Sequence, residues 1–298
     1  INQTYQDTNW EILSEENFKI QSNYFNNVDW LWVLDPLDGT KDFIQGTQNY
    51  AMHLALNYKR RPYIGIVLIP EKDELWISYE EKIWCENREG NIREQKMSKT
   101  NILEEMTIVT SKNHRNQKLK DLIEKINFKK TIVMGSIGCK VASIIRGDSD
   151  IYIALSLPGK NAPKDWDFAA PEAILKAAGG SITNIDNEDL VYGKADPKHS
   201  GIIIASNNKQ NHKTICSKVR EIIEEDSILN EDVQSKFGDS YQVEMYIENT
   251  DGFEGEGDLM SKFGVQIRDQ ATFIISLRTW ERFVSLDDNL ATSFRPNE

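Results

Sequence analysis

Apolar residues recur in two rhythms along the first three quarters of the chain. The run from Leu31 to Leu34 is short and unbroken, as in a strand buried on both faces. Met52 to Leu56 and Tyr63 to Ile69 read as strands joined through a polar turn, Tyr58 to Arg61. Glu74 to Tyr79 and Lys82 to Glu86 extend them into a meander. Thr107 to Thr110, Thr131 to Met134, Asp150 to Ala154 and Gly201 to Ala205 are further strand-like runs. Between these the period lengthens. Leu119, Leu122, Ile123 and Ile126 share one face of a helix over Asn116 to Ile126. A second helix starts near Gly138, and a third, Asp167 to Ala178, stops at Gly179-Gly180. A fourth covers Gln210 to Glu225. A meander mixed with separate βα units predicts a layered α/β (α+β) fold, not a simple doubly wound sheet.

Beyond Glu225 the pattern changes. The rest contains no Cys or His, and its only proline is Pro296. NTDGFEGEGDLMSKFG is acidic and Gly-rich, and VQIRDQATFIISLRTWERF is apolar and β-prone at its centre. A boundary near Glu225 divides the chain into residues 1–225 and 226–298, with no internal repeats.

Composition narrows the class. With 298 residues, 39% hydrophobic and 28% charged, the chain suits a globular protein, and no apolar run reaches membrane-spanning length. The opening, INQTYQDTNW, lacks a secretory pattern and an initiator Met, and is expected to be a truncated start. Cys85, Cys139 and Cys216 are scattered without metal-ligand spacing, which points to free thiols and a cytoplasmic location. The net charge is −12, but residues 226–298 hold 15 acidic and 6 basic residues, so most of it belongs to the tail. This argues against binding a nucleic-acid polymer, and nothing points to a membrane.

Three acidic clusters carry the candidate chemistry: Leu13-Ser14-Glu15-Glu16, Asp35-Pro36-Leu37-Asp38-Gly39-Thr40, and Asp165-Trp166-Asp167 at a helix start. Taken singly, each has an ordinary structural reading. Glu15 and Glu16 suit a solvated pair after a strand, Asp35 to Gly39 a turn, and Asp167 a helix N-terminus. Taken together, they suit hard divalent cations, which bind a few carboxylates plus water and substrate phosphate. Gly39 lets backbone approach a phosphate, and Thr40 places a hydroxyl where it can orient water toward Glu15.

The stretches LSEE, DPLDGTKDF and WDFAAPEAILKAAGG resemble the inositol monophosphatase superfamily of Mg²⁺-dependent, lithium-sensitive phosphatases. SEE with DPLDGTKDFI most resembles its 3'(2'),5'-bisphosphate nucleotidases of the CysQ type, GSIGCK and APKDWDFAAPE support that subgroup, and the resemblance covers roughly residues 8 to 222. It implies an αβαβα sandwich. Here the first layer is expected to be incomplete, because only 14 residues precede Glu15 where relatives carry two helices and an acidic group near a third metal. It implies Glu15, Asp35, Asp38, Asp167 and the Leu37 carbonyl as ligands to two or three Mg²⁺ ions. Gly39 and Thr40 become the phosphate-binding turn, and Thr40 with Glu15 the pair that activates water. Asp35 is counted among the catalytic groups and Asp167 also among the substrate contacts. Ser136, Gly138 and Lys140 fall in the loop near the nucleoside, with Lys140 facing a second phosphate or, alternatively, merely exposed on its helix. The implied reaction is direct in-line hydrolysis of a small phosphate monoester, best adenosine 3',5'-bisphosphate to AMP, which clears a by-product of sulfate assimilation. Within the superfamily the alternative is an inositol or sugar monophosphatase.

From about Asn230 the tail resembles the neck protein of contractile-tailed phages, which implies a structural role in a ring, either by true fusion or by joined sequence fragments. An inactive front part with a structural tail is therefore a rival from another class. Oligomeric state is left open. Asp251, Glu254, Glu256 and Asp258 lack the order of an EF-hand and read as a solvated loop. His53 reads as a strand residue, His114 and His199 as turn residues, Trp30 and Trp32 as packing, and Cys139 as no nucleophile.

Overall fold

A computed structural model describes residues 10–18, 28–112, 116–156 and 162–225, and the backbone of 240–244, 266–269, 272–276 and 295–296. The chain start, His114 and the acidic stretch from Asp251 to Asp258 lie outside the described residues. Contacts divide the chain into two units, Ile1–Glu225 and Asp226–Glu298.

The apolar runs of the first unit build a seven-stranded sheet in sequence order: β1 (Trp10–Ser14), β2 (Trp30–Asp38), β3 (Ala51–Tyr58), β4 (Arg61–Ile69), β5 (Glu74–Tyr79), β6 (Lys82–Glu86) and β7 (Ile92–Arg93). Only β1 and β2 run parallel; the remaining neighbours are antiparallel. A short helix, α1 (Thr40–Gln45), follows β2. The turn between β3 and β4 is tighter than Tyr58 to Arg61 suggested: Lys59 and Arg60 alone form it, both at positive φ, as a two-residue hairpin requires.

The second sheet has five strands: β8 (Thr107–Ser111), β9 (Lys130–Met134), β10 (Ile151–Ser156), β11 (Ser181–Asn184) and β12 (Gly201–Ser206). Their order is β11-β12-β10-β8-β9. Four helices accompany it: α2 (Gln117–Ile126), α3 (Ile137–Ile145), α4 (Asp165–Ala177) and α5 (Lys209–Glu225). Helices α3 and α4 pack on each other between the two sheets, while α2 packs on α5 and α5 on β12. Val33, Ala55, Val67 and Trp76 point from the first sheet into this central layer and are fully buried. The alternate positions, among them Trp30, Trp32, Leu54, Ile66 and Ile77, are half-buried. Trp30 and Trp32 do pack, against Tyr58 and Trp10 at centroid distances of 4.5 and 6.0 Å. The described residues therefore supply sheet, helix pair, sheet, helix pair; the further helical layer of the expected sandwich is not among them.

Helix α4 sits unusually close to the sheet. A Cβ on Gly65 of β4 would stand 2.5 Å from the Ala173 Cβ and 2.9 Å from the Ala170 carbonyl. Small residues on both sides allow this approach, and α4 carries Asp167. In the second unit, β13 (Ser240–Glu244), β14 (Gln266–Asp269), β15 (Thr272–Ser276) and β16 (Arg295–Pro296) form an antiparallel sheet in the order β14-β15-β13-β16.

Candidate active site

Side chains along a strand alternate between faces, so Asp35 and Asp38, three apart, should oppose each other. They do not, because β2 is longer than its apolar run and carries a bulge. Asp35 pairs with His53 and Asp38 with Ala51, so Pro36 and Leu37 together oppose Met52 alone. The extra residue returns Asp38 to the inner face. Both carboxylates are buried, Asp35 at 1% and Asp38 at 9% exposure. Parallel pairing of Ser14 with Leu34 delivers Glu15 to the same end of the sheet. Asp167 arrives from the first turn of α4, which begins two residues earlier than the sequence suggested. Ligand atoms of Asp35, Asp38 and Asp167 lie within 4.8 Å of one another, and Glu15 lines the same cavity of about 690 Å³. Leu37, Gly39, Thr40, Ser136 and Lys140 line it too.

The charges in this cluster are unbalanced. Burial, then repulsion from Asp38 and Asp167, pushes the Asp35 carboxyl up to about 9. Burial and Asp38 push Asp167 up to about 7, against the Lys164 N–H that donates to its Oδ2 at 2.6 Å. Hard oxygen donors, converging and short of positive charge, fit a divalent metal ion. Gly39 has φ of 88°, and a Cβ there would stand 2.9 Å from the Asn49 carbonyl. The Thr40 hydroxyl donates to the Leu37 carbonyl at 3.1 Å.

The loop entering α3 grips Asp38. Its Oδ2 accepts from the Ser136 hydroxyl at 2.7 Å, the Ile137 N–H at 2.5 Å and the Gly138 N–H at 3.3 Å. Lys140 is 3% exposed, not a surface lysine. It lines the cavity, donates to the Ser136 carbonyl at 3.2 Å and lies 5.2 Å from the Tyr152 ring centroid. Burial holds its ammonium below the ordinary range, while the charges of Asp38, Cys139, Asp167 and Asp42 act the other way. Cys139 is buried and its thiol is pushed up to about 12, chiefly by burial, so it is no nucleophile.

Sequence reasoning missed several groups around this site. His199 lies outside helix and strand but is buried; its Nε2 donates to Asp165 Oδ1 at 2.8 Å, and Asp165 Oδ2 accepts from the Gly193 N–H at 2.7 Å. His53 is a strand residue as expected, but it reaches both Asp38 and the Trp166 carbonyl. The available signal was a histidine at an inward position of an otherwise apolar strand.

Comparison with known proteins agrees with this geometry. Residues 1–224 match the inositol monophosphatase family, and residues 192–288 match a virus neck protein. The 3'(2'),5'-bisphosphate nucleotidase CysQ of Buchnera aphidicola is 32% identical over 184 residues, 61% of this chain and 64% of that protein. Human 3'(2'),5'-bisphosphate nucleotidase 1 is 28% identical over 231 residues, 73% of this chain and 70% of that protein. The chain thus spans about two thirds of the length of these curated relatives. The crystal structure of CysQ from Bacteroides thetaiotaomicron shares the fold, with a TM-score of 0.59 and 24% identity over 70% of this chain and 81% of that one. With 224 of 298 residues inside the match and its two acidic motifs meeting in one cavity, the chain belongs to the inositol monophosphatase family.

Proposed function

We propose that residues 1–225 form a Mg²⁺-dependent phosphatase whose preferred substrate is adenosine 3',5'-bisphosphate, cleaved to AMP and phosphate. The observation that carries this reading is a set of three mutually repelling carboxylates, Asp35 and Asp38 buried and Asp167 half-buried, beside a buried lysine in one cavity. Glu15, Asp35, Asp38, Asp167 and the Leu37 carbonyl would hold the metal. When bound, two such ions neutralise the carboxylates, activate water and stabilise charge on the leaving oxygen.

The chain's own groups do the positioning. The Thr40 hydroxyl donates its hydrogen bond to the Leu37 carbonyl, which leaves its lone pairs to accept from an attacking water. Glu15, on the cavity wall, takes the proton that this water loses. The turn at Gly39 and Thr40, on the cavity wall, would present backbone to a phosphate. Lys140 supplies a positive charge for a second phosphate, which an inositol monophosphate lacks. Ser136 and Gly138 border the nucleoside while holding Asp38 from the other side. The bisphosphate nucleotidase relatives support this order of substrates.

Phosphate release from adenosine 3',5'-bisphosphate, run beside inositol 1-phosphate in Mg²⁺ and in EDTA, tests the reading. Release is expected with Mg²⁺ only, faster with the bisphosphate, and reduced at least about 100-fold in Asp35→Asn. Faster turnover of inositol phosphate would reverse the substrate order; absence of Mg²⁺-dependent release would overturn the proposal. The match of residues 192–288 to a virus neck protein supports a second, structural reading for residues 226–298. A large ring without Mg²⁺-dependent hydrolysis would favour that reading for the whole chain.

A further inference from the structure

His53 stands at a junction that the proposed chemistry does not use. It lies on the inner face of β3, opposite Asp35 in register, and is 1% exposed. Its Nδ1–H donates to the Trp166 carbonyl at 3.2 Å, one residue before Asp167. Its Nε2 lies 3.3 Å from Asp38 Oδ2. That contact lacks hydrogen-bond geometry, and Nε2 completes no hydrogen bond with another described residue. With Nδ1 donating, the neutral ring offers Nε2 no proton for Asp38, so the ring meets that carboxylate by packing and not by a hydrogen bond. The ring also dictates its surroundings. A Cβ at Gly138 would stand 2.3 Å from Nε2 and 3.0 Å from Cδ2 of His53. The Gly138 N–H meanwhile reaches the same Asp38 oxygen at 3.3 Å. One imidazole therefore touches all three elements that converge on the cluster: the bulge of β2, the first turn of α4 and the start of α3.

We propose that His53 is a positioning residue that locks Asp38 against the first turn of α4, and that Gly138 is a glycine because the His53 ring fills the space of a side chain there. The inference rests on the metal reading of the site. His53 touches no metal in this view; it fixes the spacing between Asp38 and Asp167 on which metal affinity depends. Groups that orient metal-binding carboxylates commonly change metal affinity by 10- to 100-fold when removed.

Calorimetric titration of Mg²⁺ into the full chain, with thermal unfolding in EDTA measured alongside, separates this role from simple core packing. His53→Leu keeps the volume but contacts neither partner; it should weaken Mg²⁺ binding about tenfold or more. His53→Asn can serve one partner only, and its affinity should fall between leucine and wild type. It carries the test should the leucine chain not fold. Gly138→Ala, which crowds the ring, should also weaken binding. A purely structural role would lower the EDTA unfolding temperature yet leave the folded chain's affinity unchanged in each variant, and that result would overturn the proposal. If the wild type itself binds no Mg²⁺, the metal reading falls and this inference with it; binding by wild type and variants alike removes only this inference.

Discussion

Asp35 is the residue least able to exist as the bare fold presents it. It is buried, faces Asp38 and Asp167, and among the described residues its one hydrogen bond is from the Leu37 N–H to Oδ1 at 2.9 Å. Its carboxyl rises from 3.8 in the unfolded reference to about 9, so the folded, metal-free chain binds this proton more tightly than the unfolded one. The associated stability is therefore complete below about pH 4 and is lost as pH rises toward 9. Metal-free chain should lose up to about 1 kcal/mol per pH unit between pH 7 and 9. Thermal unfolding in EDTA should show this slope, Asp35→Asn should flatten it, and saturating Mg²⁺ should abolish it. A flat EDTA profile in the wild type would mean that the cluster is not strained. At this scale the acids were legible because short motifs hold them. Asp165 with His199 and His53 with Trp166 were not, since their partners lie 34 and 113 positions apart and meet only in the fold.

Two devices at the scale of elements bring the acids together. The bulge in β2 corrects the face of Asp38, and the Gly65 contact seats α4 low enough for Asp167 to reach it. Neither was readable beforehand. The sequence DPLDG looks like a turn because Asp, Pro and Gly are turn formers, yet the ladder with β3 continues through it. Strands β3 to β6 and helices α2 and α5 were legible, since their periodicity is local. Helix α1 and strand β11 are too short to leave a pattern. The close packing of α4 yields a direct expectation. Gly65→Val must displace Ala173 or the Ala170 backbone, at a cost of about 1–3 kcal/mol from overpacking. Urea denaturation should register that loss, and Mg²⁺ affinity should fall with it because Asp167 moves with its helix. Full stability in this variant would contradict the close seating of α4.

Over the whole molecule, the family and the layered architecture were foreseeable from the motifs and the alternating rhythms, and residues 1–224 match that family. The convergence itself was not. Glu15 and Asp35 become neighbours because β1 and β2 run parallel, a pairing that no local pattern announces. Asp167 lies more than 120 positions further on, and only the packing of α4 between the two sheets brings it back. Charge tells a similar story: the overall −12 is concentrated in residues 226–298, while the first unit gathers its own carboxylates at one point. Anomalous diffraction from a crystal of the full chain soaked in Mn²⁺ addresses that point most directly. Strong peaks are expected within ligand distance of Asp35, Asp38 and Asp167, with Glu15 on the same ion or its neighbour. No peak there, or peaks at other acidic sites only, would contradict a metal-dependent phosphatase centre in this chain.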